Sequence, residues 1–316
     1  MSELWERLVV NDGSYYHLSL ILTKTTSTMI PYSYFVHPED EKALNAMKAV
    51  PGFETVVKKF LKIGYETQLH GVNMASKIQL SENQLPEIYH RVTRVCDKFG
   101  IEYPEVYLEM SPFPNAYTFG DTQIFMVLTS ALFDYLDDDE IDSVIAHECG
   151  HIVCHHVLYH TIAEFLRTGM TGILGSIAEP LKLAVYYWER KSELSADRAA
   201  ALICGVDTIV RTQLRLAGGP KSLTSAVNIE EWAEQAERYE AIRNGNTWDK
   251  ILQVGATMTL DHPFSAVRVR EVLNWSKTEE FDIAMKVAGG ENRMCPHCHK
   301  AIDNDWAFCK HCGGKL

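Results

Sequence analysis

Positive charge is scarce in this chain of 316 residues: 30 Lys and Arg face 42 Asp and Glu, for a formal net charge of -12. Such a surface repels phosphate backbones and anionic lipid, so general nucleic-acid binding is not expected. Long apolar runs are missing as well. Uncharged stretches such as Gly13 to Thr23, Thr25 to Val36 and Thr168 to Ala178 fall short of the roughly 20 apolar residues that a membrane-spanning helix needs. The start, MSELWERLVV, has acids where a secretory signal has a basic residue and then an apolar run, so a soluble, cytoplasmic protein is expected. Internal repeats and low-complexity tracts are not seen. What is there in quantity is apolar: 46% of the residues, enough for a sizeable core.

Eight cysteines are present, and four of them, Cys295, Cys298, Cys309 and Cys312, form two C-x2-C pairs near the C-terminus. That spacing fits a tetrahedral structural zinc better than a disulfide framework. A tail so short has too little core to fold without a metal, so residues 291–316 read as a zinc ribbon. Its lysines and arginine are offset by Glu291, Asp303 and Asp305, which favours a protein-contact or self-regulating role over nucleic-acid binding. The remaining four, Cys96, Cys149, Cys154 and Cys204, sit in apolar or helical surroundings and are expected to be buried free thiols.

Ser14 to Val36, rich in Tyr, Thr and Ile, predicts one or two strands. Helical periodicity follows in HPEDEKALNAMKAV, in the stretch from Phe53 to Asn73, and from Pro86 to Phe99, where Gly100 stops it. Between Glu105 and Leu128 short strands separated by turns predict a small sheet. Residues 1–85 then form an N-terminal extension that is a possible cover for a cleft, and 86–288 the main domain. The main domain is of α+β class, mainly helical with a small mixed sheet.

The helix after that sheet opens with Asp137 three residues before Glu140, a capping-box pattern, and places Ile141, Val144, Ile145, Glu148 and Ile152 on one stripe. It contains His147-Glu148-Cys149-Gly150-His151, an H-E-x-x-H. The helical period stacks His147 and His151 one turn apart, so both imidazoles can reach one zinc. Glu148 is then placed to contact a bound water as general base. Downstream, KSELSADRAA puts Glu193 and Asp197 four apart on another helix. Glu193 can complete the metal site, and Asp197 can receive a ligand histidine's other N–H and fix its tautomer. His155, His156 and His160 continue the H-E-x-x-H helix, whose rise of about 5.4 Å per turn carries them away from the metal as surface or packing residues. Cys149 points elsewhere, as a packed thiol.

These residues resemble the HtpX and CAAX-prenyl endoprotease type of zinc metallopeptidase, a gluzincin group with a zincin-like fold. The resemblance rests on four ordered matches between Tyr89 and Trp275: Asn115-Ala116-Tyr117 before the helix, the H-E-x-x-H, Glu193 with Ala196 and Asp197, and His262-Pro263 followed by Arg268. It implies a zinc endopeptidase acting on protein or peptide substrates, with Glu148 as general base, one catalytic zinc on His147, His151 and Glu193, and a separate structural zinc in the ribbon. It also implies that His262 lies near the cleft, as an oxyanion donor or as a capping or packing residue. Arg268 is expected to anchor that segment through an ion pair, a structural role. Asn115 and Tyr117, on an expected edge strand, suit substrate binding by strand addition, with a core role as the rival for Tyr117. Many family members insert a transmembrane hairpin after the H-E-x-x-H helix. Here that interval carries Glu164, Arg167, Glu179, Pro180 and Lys182, so no span is expected, only a cover over the cleft or peripheral membrane contact. The alternative reading is a weakly active metal-binding or chaperone-like protein whose ribbon recruits a protein partner.

Overall fold

The computed structural model describes residues 30–167, 178–243, 265–289, 293–295, 301–302 and 306–315. Of the expected strands between Ser14 and Val36, residues 14–29 lie outside the described residues. The described part is not a strand: Pro31, with φ of -67°, leads into a single 3-10 turn at Tyr32–Tyr34. This turn lets Ile30 and Phe35 both reach the main core, which an extended segment alternating its faces would not do.

Helix α1 (Pro38–Lys48) has Pro38 at its first position and is capped by His37, whose Nδ1 accepts from the Glu39 N–H at 3.1 Å. The helical stretch expected from Phe53 to Asn73 is two helices, α2 (Phe53–Ile63) and α3 (Tyr65–Ser76), separated by Gly64 at φ of 70°. α4 (Pro86–Phe99) ends at Gly100, also left-handed.

The sheet has four strands in the order β1-β2-β4-β3, from Ile78–Gln79, Glu105–Glu109, Ala116–Gly120 and Ile124–Thr129. β2 and β4 are parallel; the other two pairings are antiparallel. β3 is therefore an edge. One face, with Val106, Ala116, Met126 and Leu128, packs into the main core; the other gathers Tyr107, Phe125 and Val127 with Tyr117 and Phe119.

After the short α5 (Ser130–Tyr135) comes α6 (Asp138–Val153), whose residues from Ile141 to Ile152 are nearly all buried except Asp142. Glu140 closes the predicted box by accepting from the Asp137 N–H at 2.8 Å. α7 (Val157–Arg167) turns away, and the long α8 (Ala178–Cys204) returns to pack on α6 more extensively than any other pair of elements. A Cβ on Gly150 would stand 2.7 Å from the Ala199 Cβ and 3.1 Å from the Ala196 Cα, so the absent side chain is what allows this approach. Among the described residues α9 (Val206–Gly218), α10 (Lys221–Thr224), α11 (Ile229–Arg243), α12 (Ser265–Trp275) and α13 (Glu279–Ala288) follow. Among the described residues no helix is long and apolar enough to cross a membrane. At the C-terminal end β5 (Arg293–Met294) pairs antiparallel with β6 (Ala301–Ile302).

Candidate metal centres

Close packing of α6 on α8 brings His147 and His151 against Glu193. The two Nε2 atoms are 3.2 Å apart, and Glu193 places Oε2 3.4 Å from His147 Nε2 and Oε1 3.3 Å from His151 Nε2. Ligands about 2.1 Å from a tetrahedral zinc stand about 3.4 Å from one another, so two imidazoles and a carboxylate at these separations fit such an ion. All three side chains are buried.

Behind this trio the charges are arranged in depth. Asp197, fully buried, lies 3.0 Å from His147 Nδ1, so that ring's other nitrogen faces Glu193 and His151. Arg268, brought in by α12, donates through Nε to Asp197 at 2.7 Å and places Nη1 2.9 Å from Glu193. Its expected ion pair is thus made to two carboxylates of the site, a closer involvement than anchoring a loop. Gln213 of α9 donates to Asp197 at 3.4 Å. Burial pushes the Asp197 carboxyl up, but the Arg268 guanidinium and His147 outweigh it and hold its pKa below the usual value. Burial disfavours a charged His147, yet Glu193 and Asp197 raise its pKa; His151, where burial dominates, is pushed down to about 4. A neutral His151 keeps a lone pair for a metal.

Glu148 is buried beside the trio, where it accepts from Thr118 Oγ1 at 3.0 Å. Thr118 lies on β3, and its neighbours on that strand point the other way. Tyr117 packs against Phe119 on the far face of the sheet, accepts from Lys77 Nζ at 2.8 Å and donates to Glu109. Its ring is therefore not turned toward Glu148. Asn115, just before β3, is tied to β4 through Thr129, whose N–H donates to the Asn115 carbonyl at 3.0 Å. Strand alternation was the available signal for Thr118: Ala116 is a core position, so residue 118 shares its face.

The histidines after His151 do not continue the helix. α6 ends at Val153, His155 takes a left-handed φ of 58°, and the chain turns back so that His156 Nδ1 lies 3.0 Å from His151 Nδ1. His156 is buried, as a packing residue would be, but it lies against His151 rather than away from the centre, because the rise per turn applies only to an unbroken helix. His151, His156 and His160 make a second trio whose ligand atoms lie within 4.8 Å of one another. Cys149 is packed as expected: its Sγ is 3.8 Å from that of Cys96, and this contact together with burial raises the thiol pKa well above its ordinary value, leaving it unreactive. His262 lies outside the described residues.

In the tail Cys295, Cys309 and Cys312 bring their sulfurs within 4.8 Å of one another; Cys298 lies outside the described residues. The second knuckle is shaped by Gly313 at φ of 75°, and the His311 N–H donates to Cys309 Sγ at 3.4 Å. Three converging sulfurs are the donor set of a thiolate zinc site.

The sequence profile of peptidase family M48 matches residues 81–276. Plastoglobule-localized metallopeptidase 48, chloroplastic, of Arabidopsis thaliana is 30% identical over 267 residues, 82% of this chain and 77% of that protein. A Protease HtpX homolog of Pyrococcus abyssi is 29% identical over 213 residues, 62% of this chain and 70% of its own length. Another, from Pyrococcus furiosus, is 28% identical over 213 residues, with the same shares.

Proposed function

The chain belongs to peptidase family M48, a metalloprotease and hence a hydrolase of protein or peptide substrates, and we propose that it works as a zinc endopeptidase with His147, His151 and Glu193 as ligands. The observation that carries this reading is the spacing of those three donors, each pair within 3.4 Å. A zinc held there supplies a Lewis acid for the scissile carbonyl and makes water a stronger acid. Glu148 accepts a proton from the attacking water on its carboxylate and delivers it to the leaving amine. Thr118 keeps that carboxylate turned to the cleft side of the sheet. Asp197 holds His147 in the tautomer that leaves Nε2 for the metal, and Arg268, paired with both Asp197 and Glu193, offsets one of their two buried negative charges.

Substrate binds in extended form along β3. The Gly120 end of that edge is closed by Thr161, whose Oγ1 accepts from the Gly120 N–H at 3.0 Å, so pairing runs over the Asn115 to Phe119 stretch. Asn115 and Tyr117 turn their backbone groups toward β4 and shape this edge from that side, the Tyr117 ring serving the sheet's far face. His262 acts at the cleft as a donor to the developing oxyanion. Residues 86–288 form the peptidase domain, 1–85 an extension packed on it through α1, and 291–316 a ribbon around a structural zinc on Cys295, Cys298, Cys309 and Cys312 that offers a surface for a protein partner.

The test is cleavage of unfolded casein by wild type and by Glu148→Gln. The variant is expected to lose about 10²–10⁴-fold in kcat/KM while keeping its zinc. Turnover at the wild-type rate would refute the assignment of Glu148.

A further inference from the structure

We propose that Asp40, in the extension ahead of the family match, is a positioning residue for the metal centre and acts on His151 through His156. The proposal rests on the reading of His151 as a metal ligand. Asp40 is buried in α1, with His156 Nε2 2.9 Å from its Oδ2, Trp188 Nε1 donating to Oδ1 at 2.9 Å, and Ser195 Oγ donating to Oδ2. An ionised carboxylate only accepts, so the ring hydrogen of His156 belongs on Nε2.

That choice propagates. Two N–H groups cannot face each other across the 3.0 Å between His156 Nδ1 and His151 Nδ1, so one nitrogen must offer a lone pair to the other's hydrogen. With its hydrogen on Asp40, His156 offers the lone pair and His151 carries Nδ1–H. His151 Nε2 is then bare where it faces His147 Nε2 and Glu193 Oε1 at 3.2 and 3.3 Å. His147 receives the same orientation directly from Asp197 at 3.0 Å. Each imidazole of the centre therefore has a buried carboxylate behind it, one in contact and one relayed through a second imidazole. The left-handed turn at His155 and the backbone bond from the His156 N–H to the His151 carbonyl, 2.9 Å, hold the relay in register. The His160 ring packs on His151, centroids 4.6 Å apart, and its Nε2 lies 3.0 Å from Ser192 Oγ.

Long-range proton–nitrogen correlation on the zinc-loaded, 15N-histidine-labelled full chain reads the tautomers directly. The relay requires Nε2–H on His156 and Nδ1–H on His151; a hydrogen on His156 Nδ1 overturns it. Chelator competition then measures the affinity of the zinc that His151→Ala abolishes. Asp40→Asn and His156→Ala are expected to weaken it about 10–100-fold. Trp188→Phe removes a different hydrogen bond to Asp40; it is expected to lower the unfolding midpoint and leave zinc affinity unchanged. Equal losses of affinity in Trp188→Phe and Asp40→Asn would reduce Asp40 to a structural role and overturn the proposal. Unchanged affinity in His156→Ala would do the same, and so would a second zinc in this domain lost with His160→Ala, since His156 Nδ1 would then be a ligand. Zinc retained by His151→Ala would overturn the metal-centre reading itself, and with it this proposal.

Discussion

The two candidate metal centres are built in opposite ways. At the α6/α8 centre, long buried helices, a sheet and α12 fix the side chains before any metal is considered, and each imidazole has a hydrogen-bonding partner of its own. In the tail the described strands are two residues long, and the apolar cluster consists of Ile302, Trp306 and the cysteines Cys295 and Cys309. Lys310 over the Trp306 ring at 4.3 Å adds little. The first site is held by its fold; the second, read as a zinc ribbon, would be held together by its metal. A chain can thus carry a metal site that tolerates exchange beside one that does not.

Removing the metal is the strongest way to break this contrast. Chelation is expected to withdraw about 10–16 kcal/mol from the ribbon and unfold it, while the helical domain keeps its secondary structure. Hydrogen exchange resolved by segment checks this: rapid exchange confined to residues 293–315 is the expected pattern, and loss of protection across α6 and α8 would erase the distinction.

The next largest effect belongs to Arg268. Arg268→Met leaves Asp197 and Glu193 buried without their cation and is expected to cost about 3–5 kcal/mol in denaturant unfolding, with the ribbon unaffected. Gly150→Ala is expected to cost about 1–3 kcal/mol, because the new methyl must push α6 off Ala196 and Ala199. If the helical frame places the ligands, the same substitution also weakens metal binding at that centre alone. The smallest effect is that of Thr118→Val, which removes one hydrogen bond to Glu148 worth about 1 kcal/mol, roughly fivefold in kcat/KM, at unchanged metal content.

Much of the helical centre was legible in the sequence because its information is local. The stacking of His147 and His151, the capping of α6 by Asp137 and Glu140 and the four-residue spacing of Glu193 and Asp197 all follow from the helix period and its capping pattern, whereas the edge position of β3 depends on strand order, which no period gives. What was not legible depends on the chain folding back on itself. The reversal at His155 uses a left-handed residue that is neither Gly nor Asn, so no turn signal marks it and the sequence alone puts His156 far from His151. Asp40 is an ordinary acid in a helix's first turn until α8 covers it with Trp188 and Ser195. The described end of the stretch expected to form strands, Ile30 to Val36, shows the converse: β-forming residues around Pro31 favour a strand, but packing of Phe35 into the core selects a turn.

The most direct test of two separately built centres is a zinc count per full-length chain in protein purified without added metal, for wild type, Glu193→Ala and Cys309→Ser. Two zincs in wild type and one in each variant, with the ribbon folded in the first and the helical domain folded in the second, is the predicted result. A single zinc in wild type that disappears with Cys309→Ser and survives Glu193→Ala would contradict the account, because the α6/α8 donors would then hold no metal.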